Sequence, residues 1–305
     1  MGNVVFPEHV ERFIETTNRY LGTFPVKLEE VSQNPKNEAR LYRITGKGDP
    51  IDLLVHRTSR SSEQPVGEYR VRVNAVIRPE IADAVRGFAD SANVYATLGA
   101  LVSSKVDDSV TCQCLIQPGS QDTVAGVLAA AAAHARASIV AAVRRALGHE
   151  QPRAVEHPSA WTDLDFEQLQ YDYPDLAIRK VSTRNWMVPL LPYGMLTLSA
   201  IDDDPYWGGG LLCMSQIPEK ALALDDSKVD VTEMNVLANL VDDTPTFGAW
   251  CRNGDVVIFL QSIPNLLKGL PLVTDQMIAW ALRRAASARQ LVEMARQTAE
   301  QREDG

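Results

Sequence analysis

Two periods of apolar and polar positions divide this chain of 305 residues into predicted elements. Val10, Phe13, Ile14 and Leu21 recur at helical spacing and predict a helix over 8–20, which Pro25 breaks. Apolar, β-prone runs at 26–31, 40–44 and 51–56 predict strands, separated by Asn34-Pro35 and by Gly46-Lys47-Gly48-Asp49-Pro50. A further run at 69–77 leads into Pro79. In the second half, 164–169 reads as a short opening helix, and 176–181, 186–191, 195–201 and 209–217 as strands. Most connections between these strands are too short for a crossover, so antiparallel pairing is expected.

The same order of signals occurs twice. Ile77-Arg78-Pro79-Glu80 leads to Asn93-Val94-Tyr95-Ala96-Thr97-Leu98, and Ile217-Pro218-Glu219 leads to Asn235-Val236-Leu237-Ala238-Asn239-Leu240. From isoleucine to asparagine the separation is 16 residues in one copy and 18 in the other. Downstream, β-prone runs at 109–116 and 255–262 each end near a proline, Pro118 or Pro264, and a long helix follows, over 121–147 and 274–301. Gly148, Pro152 and Pro158 close the first of these helices and supply a linker. The expected architecture is therefore α+β, with two similar lobes over 1–150 and 158–305. Each would be an antiparallel sheet packed with helices, the pair arranged about a pseudo-two-fold. Each lobe reads as helix, three or four strands, middle helix, two strands and long final helix.

This order resembles the lobe of the type III secretion chaperones and of the YbjN-like proteins. In the second half the resemblance rests on Asn235-x-Leu237-x-x-Leu240, Phe247-Gly248-Ala249-Trp250, the run 256–261, Ile263-Pro264 and the helix carrying Ala281-Leu282-Arg283-Arg284-Ala285. The first half repeats the pattern without the Phe-Gly-x-Trp element. The resemblance implies a protein that binds other proteins, often as a dimer, and that carries no family catalytic residues. A tandem copy in one chain would be a monomer imitating such a dimer; a homodimer is the other expectation.

Composition narrows the possible partners. With 39 acidic against 30 basic residues the net charge is −9, and the basic residues are scattered, which speaks against nucleic acid as the ligand. Arg144-Arg145 and Arg283-Arg284 fall late in predicted helices, where cations complement the dipole. No apolar run reaches membrane-spanning length; the Ala-rich stretch 124–143 is interrupted by His134 and Arg136. Nothing near Met1 reads as a signal peptide. Cys112, Cys114, Cys213 and Cys251 lack zinc-site spacing and are expected as reduced core residues, which fits a cytoplasmic protein.

No cofactor, metal or catalytic motif emerges. Asp202-Asp203-Asp204 before Pro205 reads as a solvated turn, and Gly208-Gly209-Gly210 lacks the lysine of a phosphate loop, so it is expected to permit a bulge or a close backbone approach. His9, His56, His134, His149 and His157 form no paired ligand motif. The expected function is a non-enzymatic, chaperone-like or adaptor module holding a segment of another protein. An immunity or regulatory protein blocking one target, and an enzyme with an unrecognised site, are the alternatives. Trp186, Tyr193, Tyr206 and Trp207 are the candidate partner-binding residues, because aromatic side chains are favoured at interface hot spots. Trp250 and Trp280 are expected in the core. The Ala-rich helix is expected to let the lobes pack against each other.

Overall fold

The computed structural model describes residues 4–22, 26–46, 50–57, 69–88, 93, 99–103, 109–116, 118, 122–150, 152–190, 194–204, 208–222, 228–241, 246–270 and 273–303. The first half runs α1 (Glu8–Leu21), β1 (Val26–Asn34), β2 (Ala39–Gly46), β3 (Ile51–Arg57), β4 (Tyr69–Val76), α2 (Pro79–Arg86), β5 (Ala100–Ser103), β6 (Val110–Ile116) and α3 (Asp122–Ala146). The second half begins β7 (Val155–Glu156), α4 (Asp163–Asp172), β8 (Arg179–Ser182), β9 (Asn185–Leu190), β10 (Gly194–Ile201), β11 (Asp203–Asp204) and β12 (Gly210–Pro218). It continues α5 (Glu219–Leu222), α6 (Val231–Val241), β13 (Ala249–Asn253), β14 (Val256–Pro264), α7 (Asn265–Lys268), α8 (Val273–Ala286) and α9 (Ala288–Glu303).

Two six-stranded antiparallel sheets result, and they follow one path. The first has the order β1-β2-β3-β4-β6-β5, and the second, read from its outer edge, β8-β9-β10-β12-β14-β13. In each sheet the last strand to join in sequence is inserted between its hairpin partner and the four-strand meander. Strand parity sets the core. Along β4, Val71, Val73 and Ala75 are buried while Arg70, Arg72 and Asn74 alternate with them on the other face. The buried face meets Val10, Phe13 and Ile14 of α1 and Val127, Leu128 and Ala132 of α3 in one apolar cluster. Along β9, Trp186 and Val188 are buried against Phe166 and Leu169 of α4, with Met277 and Ile278 of α8 in the same cluster. All four cysteines are buried and outside any disulfide, with Cys112 and Cys114 on the inner face of β6.

Local chemistry explains where elements stop. Gly148, at φ +66°, ends α3, with its own N–H and that of His149 bonded back to Arg145 and Arg144 carbonyls at 3.1 and 2.9 Å. The expected single helix over 274–301 is two helices that meet at Ser287, whose hydroxyl donates to the Arg284 carbonyl at 2.9 Å while its backbone keeps helical bonds to the Arg283 carbonyl and from the Leu291 N–H, both at 3.0 Å. The Asp202–Asp204 run is more than a turn: Asp203 and Asp204 pair with Glu156 and Val155, tying the segment before α4 to the second sheet. Gly209 sits where a Cβ would fall 2.2 Å from the His157 carbonyl oxygen, so the glycine run allows that segment to lie directly on the backbone.

The edges of both sheets are treated in matched ways. At the outer edges, β1 and β8 each carry a register shift, between Glu30 and Ser32 and between Lys180 and Ser182, and both strands are largely exposed and charged. Bulged, charged edges resist pairing with another strand. At the inner edges, one asparagine does the work in each lobe. The buried Asn93 amide donates to the Leu101 carbonyl at 3.0 Å and accepts from the Leu101 N–H at 2.7 Å. The buried Asn235 amide makes the same two bonds with Trp250 of β13, both at 2.8 Å. These are the repeated asparagines of the sequence, and each side chain completes a strand edge as a neighbouring strand would.

The lobes meet beside these inner edges. Ala100 and Val102 of β5 pack with Ala249 of β13 and Val236 of α6. Thr246 donates its N–H to the Leu115 carbonyl at 2.9 Å and accepts from the Leu115 N–H through Oγ1 at 2.7 Å. Gly126 of α3 lies against Leu270, whose Cδ1 would be 2.5 Å from an added Cβ. Removing the Asn235 clamp strands two buried backbone groups. Asn235→Ala is therefore expected to cost about 2–4 kcal/mol, and Asn93→Ala a similar amount, measured by urea unfolding of the full chain. A loss below about 0.5 kcal/mol in both would show that these amides do not close the edges.

Candidate interaction faces

Of the aromatic residues singled out by sequence, Tyr193, Tyr206 and Trp207 lie outside the described residues. Trp186 is a core residue, 3% exposed. Its ring stacks on Phe166 with centroids 5.7 Å apart, and its Nε1 donates to Asp163 Oδ1 at 2.9 Å. Trp250 is fully buried, and Trp280 is half-buried against Phe247. The period-two alternation in Asn185-Trp186-Met187-Val188-Pro189 carried the signal: Trp186 and Val188 share the parity of the core, which leaves Met187 and Pro189 for the opposite face.

That opposite face is the first candidate. Directly paired residues run across the second sheet in the row Met187–Thr197–Met214–Leu260–Ala249. Leu212 and Ile258 flank this row at half-buried positions, and Met195 is 48% exposed at the edge of the same surface. Gln216 donates to the Met214 sulfur at 3.5 Å. Methionine side chains are flexible and polarizable, and they adapt to partners of varied shape. The row ends at Ala249, in the contact with the first lobe.

The equivalent face of the first sheet has a different chemistry. Its paired row is Leu41–Leu54–Arg72–Leu115, and Leu115 is the residue that bonds Thr246 of the second lobe. Both rows therefore end at the seam. Beside Leu54 on β3 stand Asp52 and His56; Asp52 takes a two-pronged ion pair from Arg43, with Nε at 2.7 Å and Nη2 at 3.2 Å. His56 is paired across the ladder with Arg70. Burial pulls the His56 imidazole below its usual range, and the Arg72 and Arg70 charges add to this against an opposing backbone hydrogen bond. Burial also pulls the Arg72 guanidinium down. The side-chain Nε atoms of Arg72 and Nε2 of His56 are buried without a hydrogen-bond partner.

Neither a family model, a curated protein nor a solved structure matches this chain. The site is thus described by its own chemistry. Among the described residues, no group of three or more His, Cys, Asp and Glu side chains is placed to hold a metal ion. No helix among them is long and apolar enough to cross a membrane.

A carboxylate network fixes the second sheet against the segment that enters it. Asp163 accepts from Lys180 Nζ at 2.8 Å, from the Trp186 indole and from the Arg184 N–H at 2.9 Å. Asp202 takes both Nη groups of Arg184, at 2.6 and 2.9 Å, and the Ser159 N–H at 2.8 Å. Asn265 donates to the Pro158 carbonyl and accepts from the Ala160 N–H, both at 2.8 Å. These donors hold both carboxyls down at about 2, the Lys180 bond being the largest contribution at Asp163 and the Arg184 bond at Asp202. An unfolded aspartate titrates near 3.9. A depressed native value stabilises the fold above about pH 4, and this contribution is lost as the pH falls through about 2. The thermal midpoint of the Asp163→Asn/Asp202→Asn double variant should therefore lie below that of the parent at neutral pH and converge on it between about pH 4 and 2. A constant gap across that range would contradict the assignment.

Proposed function

We propose that this chain is a protein-binding module, chaperone-like or adaptor in kind, that holds a segment of a partner protein against its outer sheet faces. The observation that carries the reading is the methionine row of the second sheet, Met187, Met214 and the exposed Met195, on the face turned away from the core formed with α4 and α8. The treatment of the edges favours faces over edges as the binding mode. β1 and β8 are bulged and charged, and the inner edges are occupied at Leu101 and Trp250 by asparagine amides. A strand-addition partner would have to displace one of these devices; a segment lying across a face would not.

The matched strand order of the two sheets supports reading the lobes as stand-ins for the two subunits of a dimer, one chain offering two related but chemically distinct faces. Four buried cysteines outside any disulfide suit a reducing compartment such as the cytoplasm. No step in this reading calls for catalysis.

A photo-crosslinking amino acid placed at Met214, in the full chain expressed in its native host, is expected to capture one discrete protein. The same group at Arg296, exposed on α9, serves as the control. Adducts at Met214 that are absent or indistinguishable from those at Arg296 would refute the binding reading.

A further inference from the structure

We infer that the outer face of the first sheet is the polar half of the binding surface and receives an extended acidic segment of the partner, whose carboxylates meet Arg72 and the neighbouring Arg70 and His56. The inference rests on the binding reading above and assigns the chemistry of the partner.

Three observations carry it. Among the described residues Arg72 is a half-buried cation with no ion pair, and its Nε is buried without a hydrogen-bond partner. Removing a charge from water without a counter-charge is costly, so such a side chain is seldom kept for stability alone. His56, diagonal to Arg72 across β3 and β4, buries its Nε2 in the same condition, and Arg70 stands directly opposite His56. The carboxylate nearest in the ladder, Asp52, is already engaged by Arg43 through two bonds. Secondly, this cationic group belongs to a chain of net charge −9, so it does not follow from overall composition. Thirdly, the site adjoins the seam: Arg72 pairs with Leu115, whose backbone is bonded to Thr246 of the other lobe.

The spacing selects an extended ligand. Arg70 and Arg72 are two residues apart on one strand, which puts their stems about 7 Å apart on the same face. An extended peptide repeats its own side chains at the same interval, so carboxylates at alternate positions would each face a guanidinium. Leu54, directly opposite Arg72 on β3, flanks this track and would meet an apolar side chain of the same segment. Arginine suits the role because its planar fork meets a carboxylate with two bonds.

The test uses the purified full chain and a fluorescein-labelled peptide in which Glu alternates with Leu and Thr, read by fluorescence anisotropy. Saturable binding that weakens as salt rises is expected, with loss when Lys replaces Glu. Arg72→Gln should weaken binding by about tenfold or more, while Arg43→Gln, removing a cation already paired with Asp52, should leave it nearly unchanged. Equal binding of the Lys peptide, an unaffected Arg72→Gln variant, or no binding of the Glu peptide overturns the inference. A second measurement guards against a structural role. Arg72→Met should keep or raise the thermal midpoint, because it removes an uncompensated charge, and a clear fall would mark Arg72 as part of the fold. The two readings fail separately. If the Met214 photoadduct forms with equal yield in the Arg72→Gln chain, this inference is wrong and the binding reading stands.

Discussion

Each sheet of this protein has one edge that a single asparagine closes. Leu101 and Trp250 present both an N–H and a carbonyl away from their sheets, and a backbone polar group left buried and unpaired costs as much as a lost hydrogen bond. The amides of Asn93 and Asn235 satisfy both groups at once. Because the edge is satisfied from within its own lobe, the neighbouring apolar residues Ala100, Val102, Ala249 and Val236 can pack lobe on lobe without a continuous sheet forming across the chain. On the proposed reading, edges satisfied or defended in this way favour the sheet faces for recognition.

The two faces differ although the paths of the strands agree. In the first sheet, the strand next to the inserted hairpin places Arg70, Arg72 and Asn74 outward; in the second, the equivalent strand places Leu212, Met214 and Gln216 there. The inward residues are alike in kind: Val71, Val73 and Ala75 against Leu211, Cys213 and Ser215. The core tolerates such substitutions only within limits of volume and polarity, whereas an outer face is free to take on either charge or adaptable apolar surface.

Much of this was legible in the sequence. The repeated asparagine was visible at Asn93 and Asn235, as were the strand runs, the glycine stop at Gly148 and the helices on either side. What the asparagine does was not legible, because its partners Leu101 and Trp250 lie 8 and 15 residues away in unequal loops. Trp186 was misleading because composition identifies aromatic residues without saying which side of a strand they take; its parity with Val188 put it in the core. The break at Ser287 was hidden because no glycine or proline marks it and helical backbone bonds run through it. The outer faces were hidden for a different reason. Alternation reveals that a strand has two faces, but which face the helices cover is decided by packing between elements far apart in the chain.

One consequence concerns the seam. The rows Met187–Thr197–Met214–Leu260–Ala249 and Leu41–Leu54–Arg72–Leu115 both run into it, from opposite lobes. A ligand that spanned the seam would touch both, and its affinity would then depend on how firmly the lobes are held relative to each other. Among the described residues that hold includes the cluster of Ala100, Val102, Ala249 and Val236, the paired bonds between Thr246 and Leu115, the contact of Gly126 with Leu270, and the continuous apolar core to which both halves contribute. A partner engaging both faces would add its own binding energy to the association of the halves. Arg72 stands beside Leu115, whose backbone is bonded to Thr246 across the seam.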